Sequence, residues 1–305
     1  MRSLVPLLMA LSPVASAQTS PLSLNWTAPV NAVREYRLTE TNCPQYRLLS
    51  LSISDARPGQ EAQVRRSLED AFASLSAPQT QTFKQFIRVQ PGAAGTVNVL
   101  FSSVSDEDLT LKSLLSIKPG GSGTLAFQPL PENGDQQTGA ILSRLYGDLA
   151  GLHADILANF ELSAFGVYGQ PLRPGMTFTR EKTLKPGNPL AAQVGGVNEV
   201  QAIRVRQQVQ FSGVQEGLFV FARSASIVEP QQKVTGNANL TTRLREYTWT
   251  GSVHVRPDGF PEKATRLERP VMESTATVRD PQSGQVLTFT LQVTGESELT
   301  LTPVK

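Results

Sequence analysis

Apolar and polar residues alternate along most of this chain, and the alternation predicts extended segments with one buried face. Val97, Val99 and Phe101, for example, project to one side of a strand, while the residues between them project to the other. Proline–glycine pairs such as Pro91-Gly92 separate the alternating segments, because both residues favour the backbone angles of tight turns. The pattern therefore predicts a chain built mainly from strands and turns.

The clearest alternation lies in the C-terminal half of the chain. Its predicted strands are 200–211, 218–228, 240–255, 264–279 and 285–293, with a final short strand at 298–302 after Gly295. Asp258-Gly259 and the segment 280–284 carry turn residues between consecutive strands. Strands joined by such short turns pair antiparallel, so this half predicts an antiparallel meander.

The predicted strands are long, at about 10–16 residues against a usual length of about 5–6. Long strands twist and coil, so we expect a strongly curved sheet that buries one face as a half-barrel or a sandwich. Pro270 lies in the middle of the run 264–279, which predicts a bulge or an edge position there.

Two segments show helical periodicity instead, near 58–75 and 138–160. Val64, Leu68 and Phe72 recur at the spacing of one helix face in the first segment, and Asp55 precedes it as a possible cap. Both helices are amphipathic, so we expect each to pack on a sheet face. The fold class predicted is mainly β (α+β), with two helices on long curved antiparallel sheets.

The first seventeen residues have the build of a secretory signal peptide. Arg2 supplies the positive charge, an apolar run covers 4–14, and Ala15-Ser16-Ala17 is a small-residue cleavage site. Gln18 follows the site where a lipid-anchored protein would carry cysteine. We expect an exported protein of the periplasm, the cell envelope or the extracellular space. Its regions 18–168 and 169–305 are expected to form either two domains or one continuous unit.

Charge and cysteine content narrow the classes of partner. The chain has 28 basic and 26 acidic residues, and loss of Arg2 with the signal leaves 27 basic ones, so no electrostatic argument favours nucleic acid. No later segment approaches the roughly twenty apolar residues of a membrane helix, so the mature protein is expected to be soluble. Cys43 is the only cysteine and forms no internal disulfide; its alternatives are packing, an intermolecular bridge or a nucleophile.

Sequence motifs for catalysis, metal binding and cofactor binding are absent. The chain contains no HExxH, paired CxxC, GxGxxG or GxxxxGK[ST], and its only histidines are His153 and His254. A zinc site needs three or four ligands, which would require these histidines and Cys43 to converge. We therefore predict no catalytic residue, no metal site and no cofactor.

The remaining binding candidates are Arg243, Arg245, Tyr247 and Trp249, which alternate along what we expect to be one strand face. Aromatic rings beside arginine suit a sugar or a lipid headgroup, but they also form ordinary cross-strand pairs. Further arginines of the last hairpins, at 266, 269 and 279, are expected on the polar faces. There they would either pair with glutamates such as Glu268 and Glu273 or bind an anionic headgroup or glycan.

Two segments carry a resemblance to known proteins. Residues 169–178, with the sequence GQPLRPGMTF, and the hairpin 251–261 resemble those of uncharacterised exported β-rich bacterial envelope proteins. The arrangement of a long curved sheet under a helix is similar to that of bacterial carriers of lipids or lipoproteins of the LolA type. The resemblance implies an apolar concavity and identifies no functional residue.

Three function classes follow from these observations. The first is a non-catalytic envelope protein that binds an apolar ligand or lipid in the concavity of its sheet. The second is a cell-surface or periplasmic interaction or structural protein that uses sheet edges or the threonine- and arginine-rich face. The third is a hydrolase whose site carries no recognised motif.

Overall fold

The structure is a computed structural model that describes residues 22–93, 95–104, 110–118, 123–128, 162–184, 203–229, 232–237 and 239–304. Within these residues, twelve strands form one antiparallel sheet, and eleven of them follow each other in the order β5-β4-β3-β2-β1-β12-β11-β10-β8-β7-β6. The remaining strand, β9, pairs with β10. The signal segment 1–17 and the predicted helix 138–160 lie outside the described residues.

The elements have the following bounds. The strands are β1 (Val33–Ile53), β2 (Gln79–Gln90), β3 (Val97–Val104), β4 (Thr110–Ile117), β5 (Gly123–Gln128), β6 (Thr177–Leu184), β7 (Ile203–Gln215), β8 (Leu218–Ile227), β9 (Gln232–Asn237), β10 (Leu240–Val255), β11 (Pro261–Arg279) and β12 (Val286–Pro303). The helix α1 spans Gln60–Leu75.

The topology confirms a mainly β fold with a curved antiparallel sheet that does not close. Two meanders run outward from the middle of the sheet, one over β1–β5 and the other back from β12 to β6. They join because β1 pairs with β12 along almost its whole length, from Tyr36 opposite Pro303 to Ile53 opposite Leu287. The described strands thus belong to one sheet and not to the two layers of a sandwich.

Helix α1 confirms the helical periodicity near 58–75. It begins after Gly59, whose φ of 82° lies in the left-handed region, and no side chain caps its first turn. The expectation of an Asp55 cap was wrong, because Asp55 belongs to the preceding turn. The helix packs against β1, where the ring of Phe72 stacks on that of Tyr46 with centroids 6.1 Å apart.

We call the sheet face that bears Tyr36, Leu38 and Leu301 the core face, and the opposite one the outer face. At one end of the core face, segments around residues 22–28 and 162–172 run together across the sheet, linked by hydrogen bonds such as that from the Gly169 amide to the Leu24 carbonyl. Burial of their apolar side chains against the strands forms the main core. Its large buried members include Leu24, Leu38, Phe101, Leu162, Tyr168, Phe211 and Phe221.

Two tyrosines of this core hold their phenol groups away from water. Tyr36 donates a hydrogen bond from its hydroxyl to the Pro261 carbonyl at 2.9 Å. Burial raises the pKa of Tyr36 and of Tyr168 far above the usual value, because the phenolate would be desolvated. Both groups therefore favour folding while neutral, and this contribution is lost as the pH rises from about 10 through the folded pKa.

Tyr36→Phe is expected to leave the absorbance of the folded protein at pH 11 unchanged, because burial holds the pKa of Tyr36 far above the usual value. The same substitution in urea should remove one fifth of the phenolate absorbance at 295 nm, since the unfolded chain ionises all five tyrosines. Spectrophotometric titration of the wild type and the variant, with and without urea, checks this. A loss of one phenolate signal in the folded state would contradict the assignment.

The longest strands are irregular at one level of the sheet. Gly295 of β12 lies opposite Pro44 of β1 and has a φ of 142°. On the other side of β12, its pairing with β11 is continuous over Ala264–Glu268 and again over Met272–Arg279. This pairing is interrupted at Pro270. Neither proline can donate a ladder hydrogen bond, so the ladder is weakened at this level, where the backbones of β12 and β1 approach closely at Gly295.

The structure corrects two sequence expectations at this level, one about Gly295 and the other about Pro270. Gly295 does not separate two strands, because β12 runs through it as one strand of 18 residues. Pro270 does not lie on an edge strand, because β11 pairs with both β10 and β12; its expected irregularity is the interrupted register. A glycine inside a long strand marks a close approach of backbones, which the alternation of side chains does not encode.

Within the described part of the chain, no helix has the length and apolar character needed to cross a membrane.

Candidate functional site

The core face changes character along the long strands. After the main core comes a level of side chains that carry polar groups, which we call the polar belt: the buried Arg223, Trp249 and Arg266 and the half-buried Tyr247 and Glu268. Beyond the belt, toward the start of β12, most side chains of this face are apolar again. Buried charges are costly unless they are paired, so a belt between two apolar regions marks this level as a candidate site.

Three side chains of the belt form a connected group. Arg266 is 4% exposed and forms an ion pair with Glu268, two residues along the same strand face. The Tyr247 hydroxyl donates to Glu268 Oε1 at 3.1 Å, and Arg266 Nη2 donates to the same hydroxyl oxygen at 3.3 Å. The Nε of Arg266 is buried and has no hydrogen-bond partner among the described residues.

Trp249 is in contact with both arginines of the belt. The guanidinium carbons of Arg223 and Arg266 each lie 5.2 Å from the centroid of its ring, which is within the range of cation–π attraction. Arg223 also donates to the Thr265 carbonyl at 3.4 Å. Two guanidinium groups around one indole present positive charge on the core face, with the carboxylate of Glu268 beside one of them.

Sequence reasoning missed Arg223 and placed Arg266 on the wrong face. Arg266 was expected on a polar face, but it shares the core face with Ala264, and Arg223 shares it with Phe221 and Ala225. The signal that could have found both is parity, because each arginine alternates in phase with buried apolar residues of its own strand. The alternation puts such a residue on the core face even where burial of its charge is unfavourable.

The four binding candidates do not share one face. A β-bulge in β10 between Leu244 and Glu246 shifts its register with β11, so Tyr247 and Trp249 point to the core face. Arg243 and Arg245 lie on the outer face, where Arg245 contacts Glu273. The expectation of a single face was wrong because one extra residue at a bulge reverses the side-chain parity beyond it.

On the outer face, Arg243 and Arg245 line a depression of about 380 Å³ together with Thr241, Glu273 and Thr275. Arg245 donates from Nε to Glu273 Oε2 at 2.7 Å, which fixes its guanidinium. Thr275 exchanges a hydrogen bond with Thr290 of the next strand at 3.0 Å. The depression is therefore polar, and it is separated from the belt by the thickness of the sheet.

Beyond Gly295, the core face carries a group of residues that we call the apolar strip. Its rows run across β1, β12 and β11: Tyr46, Val293 and Met272; Leu48 and Leu291; and Leu51, Phe289 and Ala276. In the middle row, the β11 residue opposite Leu291 is the buried Ser274. Leu48 and Leu291 are buried, whereas the other members are half-buried. Helix α1 covers the strip where it packs against β1, so the strip has α1 along one side and the polar belt at one end.

The other chemistry-bearing residues are dispersed. Cys43 is a free, half-buried thiol in register with Glu296, and His254 is half-buried on the outer face of β10 in register with Lys263. His153 lies outside the described residues. Among the residues that the structure describes, no three histidine, cysteine or carboxylate side chains are grouped as metal ligands.

Comparison with known proteins adds no family to this description. No family model matches the chain, and a search of curated proteins finds no significant match.

Proposed function

We propose that this protein is an exported, non-catalytic envelope protein that binds a lipid-like amphiphile on its core face. The observation that carries the proposal is the apolar strip beside α1, which ends at the polar belt. An amphiphile has the same division, with an apolar chain and a polar headgroup. The chain of the ligand would lie along the strip, and its headgroup would lie at the belt.

The half-exposure of the strip supports this arrangement. Phe289 and Val293 of β12 and Met272 of β11 lie on the same face as the buried core, yet they keep part of their surface exposed. Removing such apolar surface from water is favourable by about 25 cal/mol per Å², so an apolar chain laid on the strip gains binding free energy. Concave, mostly apolar surfaces with a few polar groups are the usual sites for small ligands.

The belt supplies the polar end of the proposed site. The buried Nε of Arg266 is a donor without a described partner, and a headgroup oxygen would satisfy it. The guanidinium groups beside Trp249 favour an oxygen-rich or anionic headgroup over a cationic one. The resemblance to LolA-type carriers agrees with this class of ligand.

The first test is native mass spectrometry of the protein purified gently from its own envelope fraction, with an organic extract of the same sample. The mass of the polypeptide should correspond to a chain that begins at Gln18, as cleavage after Ala17 requires. A reproducible additional mass that matches a lipid in the extract is the expected result. A bare protein with an empty extract, or a chain that retains Met1, would contradict the proposal.

Phe289→Gln is expected to weaken binding of the apolar dye N-phenyl-1-naphthylamine about fivefold or more, because it replaces an aromatic ring on the strip by an amide. Thr294→Gln is the matched control, since Thr294 lies on the outer face of the same strand. Fluorescence titration measures both affinities. An equal loss in the two variants would show that the dye does not bind along the strip.

An interaction role is the second candidate, because the strand path ends at β6 on one side of the open sheet. An edge strand can pair with a partner's strand. However, Arg180, Glu181 and Lys182 follow each other along β6, and charged residues on an edge strand oppose such pairing. The amphiphile proposal is therefore the one that the described residues favour.

A further inference from the structure

We infer that the depression on the outer face is a second ligand site, which binds an oxyanion through Arg243 and Arg245. The ligand class is a phosphate, sulfate or carboxylate group, either free in solution or carried by a lipid headgroup. This site does not depend on the proposed amphiphile site, because it lies on the opposite face of the sheet.

The β-bulge of β10 creates the site. In a regular strand, residues 243 and 245 share one face and so do 247 and 249, which would put all four candidates together. The extra residue between Leu244 and Glu246 leaves the two arginines on the outer face and turns the aromatic residues inward. The side chains of Arg243 and Arg245 therefore line one concave surface, and the rings of Tyr247 and Trp249 do not lie between them.

Glu273 orients the guanidinium of Arg245 for ligand binding, and it does not neutralise the positive charge of the site. Its carboxylate accepts from the Nε of Arg245 at 2.7 Å, and the two side chains are only 30% and 21% exposed. A guanidinium has five N–H donors in a rigid plane, so this contact orients the group and leaves other donors available. The orientation lowers the entropy that Arg245 loses when it binds a ligand.

Arg243 supplies the charge that Glu273 does not balance. Its side chain is exposed and lines the same depression, and none of the described residues forms an ion pair or hydrogen bond with that side chain. The lining therefore holds two cations and one anion, a net charge of about +1. Thr241 and Thr275 add hydroxyl groups, which can donate to further oxygens of the ligand.

A depression of about 380 Å³ is large enough for a small oxyanion or for the headgroup of a lipid. Because the site is open to water, its affinity should be modest and should fall as the salt concentration rises. Arginine is suited to this task, since its planar fork binds phosphate and carboxylate groups in two-point contacts.

The test is a titration of the full-length mature protein with inorganic phosphate and with sulfate at constant ionic strength, followed through the arginine side-chain Nε–Hε resonances. The resonances of Arg243 and Arg245 are expected to shift with saturation. Arg243→Gln should weaken binding about fivefold or more. Arg279→Gln is the matched control, because Arg279 is an exposed outer-face arginine away from the depression, and it should leave the affinity unchanged.

A second arm distinguishes the two sources of the anion. Cosedimentation with phosphatidylglycerol vesicles, but not with phosphatidylcholine vesicles, that is lost in Arg243→Gln would identify a lipid headgroup. Saturable phosphate or sulfate binding without vesicle binding would identify a free anion, and both results support the site. Shifts that stay linear in every arginine, or an equal loss in Arg279→Gln, would overturn it, whatever the result of the lipid experiments on the core face.

Discussion

Glu268→Ala is expected to lower the free energy of unfolding by about 3–5 kcal/mol, because it leaves the buried guanidinium of Arg266 without its carboxylate. The side chain of Arg266 is 4% exposed, so water cannot replace the lost partner at low cost. The substitution also removes the acceptor of the Tyr247 hydroxyl. Urea unfolding followed by tryptophan fluorescence measures the change, with Trp249 as a reporter inside the belt.

Glu296→Ala is the matched control for this prediction. Glu296 of β12 pairs with Arg269 of β11 at 2.7 Å, but these side chains are 55% and 54% exposed. An exposed ion pair contributes about 1 kcal/mol or less, so the control should cost no more than that. Similar losses in the two variants would contradict the argument that burial of the belt determines the cost.

The double variant R266M/E268M separates the pair's contribution from the cost of leaving one charge unpaired. It removes both charges and fills the space with side chains of similar length, so it is expected to be more stable than Glu268→Ala alone. If it is folded but does not bind the proposed amphiphile, the belt is retained for the ligand and not for stability. A double variant less stable than Glu268→Ala would show that the belt stabilises the fold.

Gly295→Ala is expected to lower the free energy of unfolding by about 3 kcal/mol or more, the sum of backbone strain and overpacking. Its φ of 142° is rarely adopted by residues with a side chain. A Cβ at this position would lie 2.9 Å from the Cα of Pro44 and closer still to the Cys43 carbonyl oxygen. Since β12 lies between β1 and β11, its backbone cannot move away from one neighbour without approaching the other.

Gly284→Ala is the control that isolates the close approach. Gly284 also has a positive φ, of 71°, but a Cβ there would meet no atom within 4 Å. Its substitution should cost only the backbone strain, about 1–2 kcal/mol. Unfolding of both variants under the same conditions measures the difference. Equal losses would show that small movements of β12 relieve the contact with β1.

The local features of this protein follow from its sequence to a large extent. Strand β7, the turn at Asp258-Gly259 and helix α1 all lie close to where periodicity and turn residues predict them. These features depend on residues within a few positions of each other, so a short window of sequence contains the necessary information. The antiparallel meander also follows, because strands joined by short turns have few other ways to pair.

The candidate site could be predicted only in part. Tyr247 and Trp249 were identified as binding candidates, but the arginines expected beside them are on the opposite face. The arginines that do contact Trp249 are Arg223 and Arg266, from two other strands. Which strands lie side by side depends on pairing across the whole sheet. The sequence of a single strand does not identify the strands that will pair with it.

By itself, the sequence determined that this chain forms long antiparallel strands with one apolar face, since side-chain alternation and turn residues act locally. The tertiary structure alone decided that β1 pairs with β12, that a bulge reverses the faces of β10, and that β12 approaches β1 closely at Gly295. Bulges and close approaches arise where the backbones of two strands are matched to each other. The face that each arginine occupies is therefore a property of the assembled sheet, because one unpaired residue reverses every side chain beyond it.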